Sequence, residues 1–514
     1  MLRSLRNIGR LIRIAVTLAR HDALFPLDHF GLAPVSRRLA RLIARRDPDK
    51  RPGERLAAAL QVLGPSFIKL GQTLATRPDL LGEEVADDLS MLQDRLPAFP
   101  TEKAKAIVEA ELEAPLDDLF SSFEDEPVAA ASIAQVHFAE TADGEKVAVK
   151  ILRPDVESAF RRDLDLFRWA AEMVERRRPE LRRLKPVAVV ETFADTVAIE
   201  MDLRMEAAAA SELGENFKDD PSFHVPAVDW QRTARRVLTT ARVAGIPIDQ
   251  RERLIEAGHD PQVILKNAAE IFFNQALRDG FFHADQHPGN AFVDENGAIV
   301  AVDFGIMGRL DHKTRTYLAD MLLGFLNADY EFLAEVHFRA GYVPADKSRA
   351  AFTQALRAIA DPILGRPLNE ISLARLLGLM FQVTERFEME TQPQLLLLQK
   401  TMLVTEGVGR QLDDSVNMWD LARGPVEQWM VQNRGPIARA REVAGSLARM
   451  SERLPALLQG IEQATDDLTG GGWRLHPDTV EALRRDNATP RQRLWPLWSA
   501  IAVLGAAVVW LLAR

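Results

Sequence analysis

At 514 residues the chain is too long for one hydrophobic core, which stops growing near ~250–300 residues, so a core with long helical additions or several cores is expected. A net charge of −10 gives no electrostatic reason to expect nucleic acid as a partner. The complete lack of cysteine excludes disulfides, thiolate nucleophiles and Cys-ligated zinc or iron–sulfur centres.

In chain order, residues 1–24 predict a basic amphipathic helix: Arg3, Arg6, Arg10 and Arg13 recur at helical steps opposite Leu5, Ile8, Ile12 and Val16. Such a stripe suits a membrane surface or the protein's own core equally. Residues 25–115 read as a helical extension broken by Pro48, Pro52, Pro65, Pro78, Pro97 and Pro100. Short strand-like runs fill Phe123 to Leu152, helices follow to about Leu213, and Arg236–Thr239 reads as a strand. Two apolar runs, Ala291–Val293 and Ala298–Val302, flank Asn296-Gly297, a strong hairpin signal because both residues tolerate positive φ. Helices are expected from Leu310 to Leu468. After a linker over 469–493, residues 494–513 carry no charge and as a helix reach ~30 Å, enough to span a bilayer. Trp495, Trp498 and Trp510 lie near its ends and Arg484, Arg485, Arg491 and Arg493 precede it, an arrangement that leaves the large domain cytoplasmic.

The chemistry concentrates in His283-Ala284-Asp285-Gln286-His287-Pro288-Gly289-Asn290 and Asp303-Phe304-Gly305. An H-x-D with Asn five residues after the Asp, then D-F-G, is the order of a kinase catalytic loop and metal loop. The hairpin between them brings Asn290 and Asp303 to one end, where two oxygen ligands suit Mg²⁺ bound with phosphate. Asp285 is the candidate base or orienting group for the nucleophile, with a structural carboxylate as the alternative. Upstream, Val147-Ala148-Val149-Lys150 resembles the V-A-I-K strand whose Lys contacts phosphates, and Glu206 on a helix is the carboxylate expected to hold it. His283 and His287 lack a third ligand at zinc spacing, so zinc is set aside. Where a Gly-rich loop would cover the nucleotide, the chain reads Val128-Ala129-Ala130-Ala131-Ser132-Ile133-Ala134-Gln135-Val136, whose alanines by themselves favour a helix.

With these motifs the chain resembles the UbiB family of atypical kinase-like proteins from about Leu32 to Asp413. Lys69-Leu70-Gly71-Gln72 looks like its K-x-G-Q segment, with Thr76-Arg77 following. Pro127 to Ser132 looks like its Ala-rich loop, Glu200-Met201-Asp202 like its E-x-D, and Leu395 to Thr401 with Glu406 to Asp413 is also similar. Ala75, Ala209 and Thr240-Ala241 depart from residues common in the family. The resemblance implies an α+β, atypical protein-kinase-like two-lobe fold over 116–468, with the N-lobe at about 116–240 and the C-lobe at about 241–468. It carries the helical extension and the C-terminal transmembrane helix at its ends.

It further implies ATP and Mg²⁺ as cofactors, with Lys150 and the 128–136 loop binding ATP, Asp285 catalytic, Asn290 and Asp303 on metal, and Glu206 paired with Lys150. Lys69 would lie near Glu200, and Lys69, Gln72, Glu200 and Asp202 would regulate access to the site. The expected setting is ubiquinone biosynthesis at the bacterial inner membrane, acting on or presenting polyprenyl-phenol lipid intermediates. Other ubiquinone biosynthesis enzymes and a homodimer are compatible partners. A small-molecule phosphotransferase, since His287 stands where the usual catalytic-loop Lys would be, and a nucleotide-binding scaffold remain alternatives.

Overall fold

The computed structural model describes residues 2–434, apart from 26–49, 76–81, 91, 93–95, 178–185, 365–381, 385, 390–392, 414 and 416–417. The expected linker and transmembrane segment, and Thr76-Arg77, lie outside the described residues. Among those that are described, no helix is long and apolar enough to cross a membrane.

The N-terminal region is helical: α1 (Leu2–Arg20), α2 (Pro52–Leu63), α3 (Pro65–Ala75) and α4 (Glu83–Ser90). Prolines open α2 and α3, where the missing N–H costs nothing. Leu56, Leu60, Phe67, Ile68, Leu89 and Leu92 form a shared core, against which Ile14 and Leu18 of α1 pack. Gly71 permits this packing, since a Cβ there would lie 2.6 Å from Leu92 and 2.7 Å from Leu60. The second half of α1 therefore packs on protein, and Arg10 pairs with the nearly buried Asp163 at 2.5 Å.

Two short helices, α5 (Thr101–Leu112) and α6 (Leu116–Leu119), lead into β1 (Phe120–Phe123), β2 (Ala129–Ala130), β3 (Ala134–Thr141) and β4 (Lys146–Leu152). Three helices follow, α7 (Val156–Arg177), α8 (Pro186–Glu200) and α9 (Leu203–Asn216), then β5 (Phe223–His224) and β6 (Val237–Ala241). Strands β1, β3, β4 and β6 make an antiparallel sheet in that order, with β2 paired to β3. Side chains alternate along β4: Val147, Val149 and Ile151 enter the core beneath Ile107 and Val108 of α5. The period of two thus turns Lys150 to the opposite face.

From β6 the chain crosses within a few residues to β7 (Ile246–Pro247), which belongs to a second sheet ordered β5-β10-β9-β7. Gly245 makes the crossing close, as a Cβ there would meet the Val293 carbonyl at 2.8 Å. The lower lobe holds α10 (Arg251–Glu256), α11 (Pro261–Phe273), a π-helical turn over Asn274–Asp279, β8 (Phe281–His283), β9 (Ala291–Val293), β10 (Ile299–Ala301) and β11 (Met307–Arg309). Beyond these come α12 (His312–Leu326), α13 (Tyr330–Ala340), α14 (Arg349–Ala360), α15 (Pro393–Leu412) and α16 (Met418–Arg434).

The 291–302 hairpin is present, with Ile299 opposite Val293 and Gly297 at φ 83°. Asp294 Oδ1 accepts from Asn296 N and Ala298 N, both at 2.9 Å, and so fixes the turn. Helix α9 joins the lobes: Leu203 and Ala207 pack in the upper core, while Ala210, Leu213 and Phe217 pack in the lower.

The Ala-rich segment departs from its compositional reading. Its alanines pair as strands, Ala129 with Val136 and Ala130 with Gln135, because β3 beyond them is already zipped to β4. Arg153 then fastens the turn, donating from Nε (2.9 Å) and Nη2 (2.8 Å) to the Ala131 carbonyl. Tertiary pairing overrides the helical propensity of alanine here.

Candidate active site

Between the two sheets, Lys150 Nζ donates to Glu206 Oε1 at 2.7 Å and Oε2 at 2.9 Å, and to Asp303 Oδ1 at 3.0 Å. Each side chain arrives from a different element: Lys150 from β4, Glu206 from α9, and Asp303 from the turn after β10. Asp202 starts α9, its carboxylate accepting from Arg204 N at 3.2 Å, so the E-x-D aspartate is a helix cap for the element that carries Glu206. Asp303 is left-handed, with φ 62°, a conformation Asp tolerates better than most residues.

The charges are strongly coupled. Burial raises Glu206, the Lys150 ammonium draws it down and the Asp303 carboxylate raises it again, leaving it at about 7. Burial also opposes the charge on Asp303, but Lys150 beside it, aided by Lys69, holds its carboxyl well below the usual range. For Lys150 the two carboxylates outweigh burial and hold the ammonium above its ordinary value. Asp303 is the open corner of this group, its side chain 48% exposed against 16% for Lys150.

Asp285 follows β8, and its loop is held by backbone-directed side chains. His283 is fully buried, with Nδ1 accepting from Asp285 N at 3.1 Å, which leaves Nε2 to face the Val302 carbonyl at 3.3 Å. Burial keeps this imidazole below its ordinary value, in its neutral form. It is therefore a structural loop residue. Asn290 Nδ2 donates to the Asp285 carbonyl at 3.1 Å, and Val302 N donates to the Asn290 carbonyl at 2.9 Å, so the loop and the strand leading to Asp303 are adjacent. His287 is turned onto its own loop, with Nδ1 accepting from Gly289 N at 3.1 Å. Lys400 of α15 donates to Asp285 Oδ1 at 2.9 Å, a contact not foreseen from the sequence, although its segment was part of the family resemblance.

Over the cleft, the residues assigned to nucleotide binding divide. Val128 and Ala129 are exposed, Ala130, Ala131 and Val136 are half-buried, and Ser132, Ile133, Ala134 and Gln135 are buried. The side chain of Gln135 is turned away from the cleft: Oε1 accepts from Phe99 N at 2.9 Å and Nε2 donates to Phe99 O at 3.3 Å. Any contact of Gln135 with a nucleotide would therefore fall to its backbone, because the pleat puts alternate residues of β3 on the face away from Lys150. Leu70, next to Lys69 on α3, packs on the core that contains Ile133 and Ala134. Lys69 reaches Glu200 at 3.0 Å, and Gln72 lies half-buried one turn farther along α3.

The donor set fits a magnesium nucleotide. Among the described residues no cluster of three or more His, Asp or Glu is placed to hold a metal alone. Asn290 and Asp303 are the two residues that could offer hard oxygen donors, and Mg²⁺ is commonly held by one or two carboxylates together with substrate phosphates. The Ser132 hydroxyl is buried in the Ala-rich turn without a hydrogen-bond partner, a cost that a polar ligand would offset.

Residues 91–337 match the ABC1 atypical kinase-like domain and residues 356–417 match the UbiB helical domain. The chain is 39% identical to a probable protein kinase UbiB of Marinobacter nauticus, over 98% of this chain and 94% of that one. It is 40% identical to a protein of the same description in Azotobacter vinelandii, over 93% and 90% of the two. Among solved structures it is similar to Rv3197 of Mycobacterium tuberculosis in complex with erythromycin, with 26% identity and a TM-score of 0.52 over 71% of this chain and 95% of that one. Near-complete coverage at this identity, together with a cleft built from the residues of the family's own motifs, establishes that the chain belongs to the UbiB family and has its atypical protein-kinase-like α+β fold.

Proposed function

We propose that the chain binds Mg-ATP in the cleft between its lobes and transfers or releases the γ-phosphoryl group in support of ubiquinone biosynthesis. The single observation that carries this reading is the meeting of Lys150, Glu206 and Asp303 within 2.7–3.0 Å. Lys150, oriented by Glu206, binds the nucleotide phosphates beneath the 128–136 hairpin. Asp303, with its open face, and Asn290 hold the metal, which supplies charge neutralisation to the phosphate oxygens. Asp285 accepts the proton of the attacking hydroxyl or water.

The polyprenyl-phenol lipid intermediates as the molecules served, and attachment to the bacterial inner membrane through residues 494–513, are supported by the family and by that uncharged stretch of sequence. Association with other ubiquinone biosynthesis enzymes, or with a second copy, belongs to the same reading. Lys69, Gln72, Glu200 and Asp202 regulate access, supported by the packing of Leu70 of α3 on the core that contains Ile133 and Ala134 and by the cap that Asp202 gives the helix of Glu206.

The test is phosphate release from Mg-ATP by the full chain, with and without detergent or a phenolic lipid analogue. Turnover stimulated by lipid, abolished in Asp285→Asn and lost with nucleotide binding in Lys150→Ala, supports the reading. Binding without turnover in every condition leaves a scaffold instead. Transfer of label to a soluble hydroxyl compound selects the small-molecule phosphotransferase.

A further inference from the structure

The loop His283 to Asn290 contains no lysine or arginine, so it cannot supply a cation to its own aspartate. His287 is committed to Gly289 N within the loop. The cation comes from far along the chain: Lys400 Nζ lies 2.9 Å from Asp285 Oδ1, and among the described residues this is the ion pair that Asp285 makes. The side chains remain 38% and 30% exposed, so the pair opens toward solvent.

The placement of Lys400 is built. Leu398 packs with Phe282 and Ala284 in one core, and Val408 and Leu412 pack in the next, so α15 is anchored on both sides of Lys400. Its C-terminal end is fastened by Arg251 Nε donating to the Leu412 carbonyl at 2.8 Å and by Gln262 Nε2 donating to Asp413 Oδ2 at 2.7 Å. Five residues beyond Lys400, the buried Thr405 approaches Gln286 at 3.5 Å, so adjacent residues of the loop meet the same helix. Gln275 Oε1 holds the loop from below, accepting from His283 N at 2.9 Å. An incidental surface ion pair would not be expected on a helix fastened in this way, and such pairs contribute little to stability in any case.

We infer that Lys400 is the positioning residue for phosphoryl transfer, holding the Asp285 carboxylate by Oδ1 so that its other oxygen is presented to the incoming hydroxyl. This rests on the reading of Asp285 given above. In the step served, the acceptor oxygen forms a bond to the γ-phosphorus while the bond from that phosphorus to the ADP oxygen breaks. The electron pair leaves on ADP, and the acceptor's proton passes to the free Asp285 oxygen. Lys400 keeps its own protons throughout. Fixing one carboxylate oxygen removes a rotational degree of freedom from the base, the kind of preorganisation on which positioning catalysis depends.

The experiment uses the full chain in lipid vesicles, with Lys400→Met, Lys400→Arg, Asp285→Asn and the Lys400→Met/Asp285→Asn double variant. Phosphate release gives kcat and KM, and a fluorescent ATP analogue gives nucleotide affinity without turnover. Expected is a fall in kcat of at least ~10-fold in Lys400→Met with KM and nucleotide affinity unchanged, substantial recovery in Lys400→Arg, and a double variant no slower than Asp285→Asn alone. Unchanged kcat in Lys400→Met overturns the inference. So does a loss of nucleotide affinity or thermal midpoint that Lys400→Arg shares, which would make the lysine merely structural. If Asp285→Asn itself turns over at the wild-type rate, the reading of Asp285 fails first and takes the role of Lys400 with it. Slowing in Lys400→Met beside a normal Asp285→Asn overturns the inference as well, since the lysine would then act by a route that does not pass through the aspartate, whereas a normal Lys400→Met beside a slowed Asp285→Asn overturns the role of Lys400 and leaves the reading of Asp285 standing.

Discussion

Lys69 and Glu200 meet at 3.0 Å with about a tenth of each side chain exposed, joining the N-terminal helices to the upper lobe beside the cleft. Removing one member of a buried pair strands the other charge, at a cost of ~3–5 kcal/mol. Lys69→Met is therefore expected to lower unfolding stability by about that amount, and Lys69→Met combined with Glu200→Gln to recover most of it. Urea unfolding of the two single variants and the double variant measures the coupling directly. Additive losses would mean that the two residues act independently.

Glu206 predicts a particular dependence on pH. Its folded carboxyl sits at about 7 against an ordinary value of 4.5, so between those values the folded state holds a proton that the unfolded state has released. Its contribution to stability is thus complete below about 4.5 and is lost as pH rises to about 7. Glu206→Gln keeps the hydrogen-bonding shape and cannot titrate. The thermal midpoint of wild type minus that of Glu206→Gln should decline across this window and level off above it. A flat difference would contradict the coupling within the Lys150 group.

Gln135 fastens the Ala-rich hairpin to the segment before α5 by bonding both the N–H and the carbonyl of Phe99 in the interior. Gln135→Ala leaves both backbone groups unpaired, and each buried unsatisfied group costs ~1–3 kcal/mol. A loss of about 2–6 kcal/mol is expected on that basis, read by denaturant unfolding. Gln135→Glu should be worse than Gln135→Ala near neutral pH, since it places a carboxylate against the Phe99 carbonyl.

Gly308 on β11 lies directly over the ring of the fully buried Phe282 on β8, and a Cβ there would overlap the ring. Gly308→Ala must displace either the ring or the strand pairing next to His283. A destabilisation of ~1–3 kcal/mol or more is expected, with reduced turnover because β8 leads into the Asp285 loop. Pairing the change with Phe282→Leu, which shortens the opposing side chain, should restore part of the stability.

What could be read in advance follows the range over which each signal acts. The 291–302 hairpin is written in a local turn and two flanking runs, and it is present, whereas Lys150 was singled out by its likeness to V-A-I-K and by motif order, its facing being set by the pairing of β4 in the sheet. The pairing of Glu206 with Lys150 came from motif order across 56 residues. The Ala-rich hairpin was hidden because its local propensity opposes its final pairing, which depends on β4 and Arg153. Gln135 was assigned to the nucleotide from its place in a motif, whereas its side-chain direction is set by the pleat. Lys400 had no local signal at all, since its contact spans 115 residues and depends on how α15 seats against the lower core.

The embedding of α9 in both cores limits how this protein could be switched. In kinases controlled through the equivalent ion pair, the helix bearing the glutamate swings away and draws that residue out of the site. Here such a swing would pull Ala210, Leu213 and Phe217 from the lower core, exposing apolar area worth several kcal/mol at ~25 cal/mol per Å². The Lys150–Glu206 contact is therefore a fixed strut. Among the described residues, entry to the cleft and the Asp285 loop are the parts that can change while the helix stays where it stands.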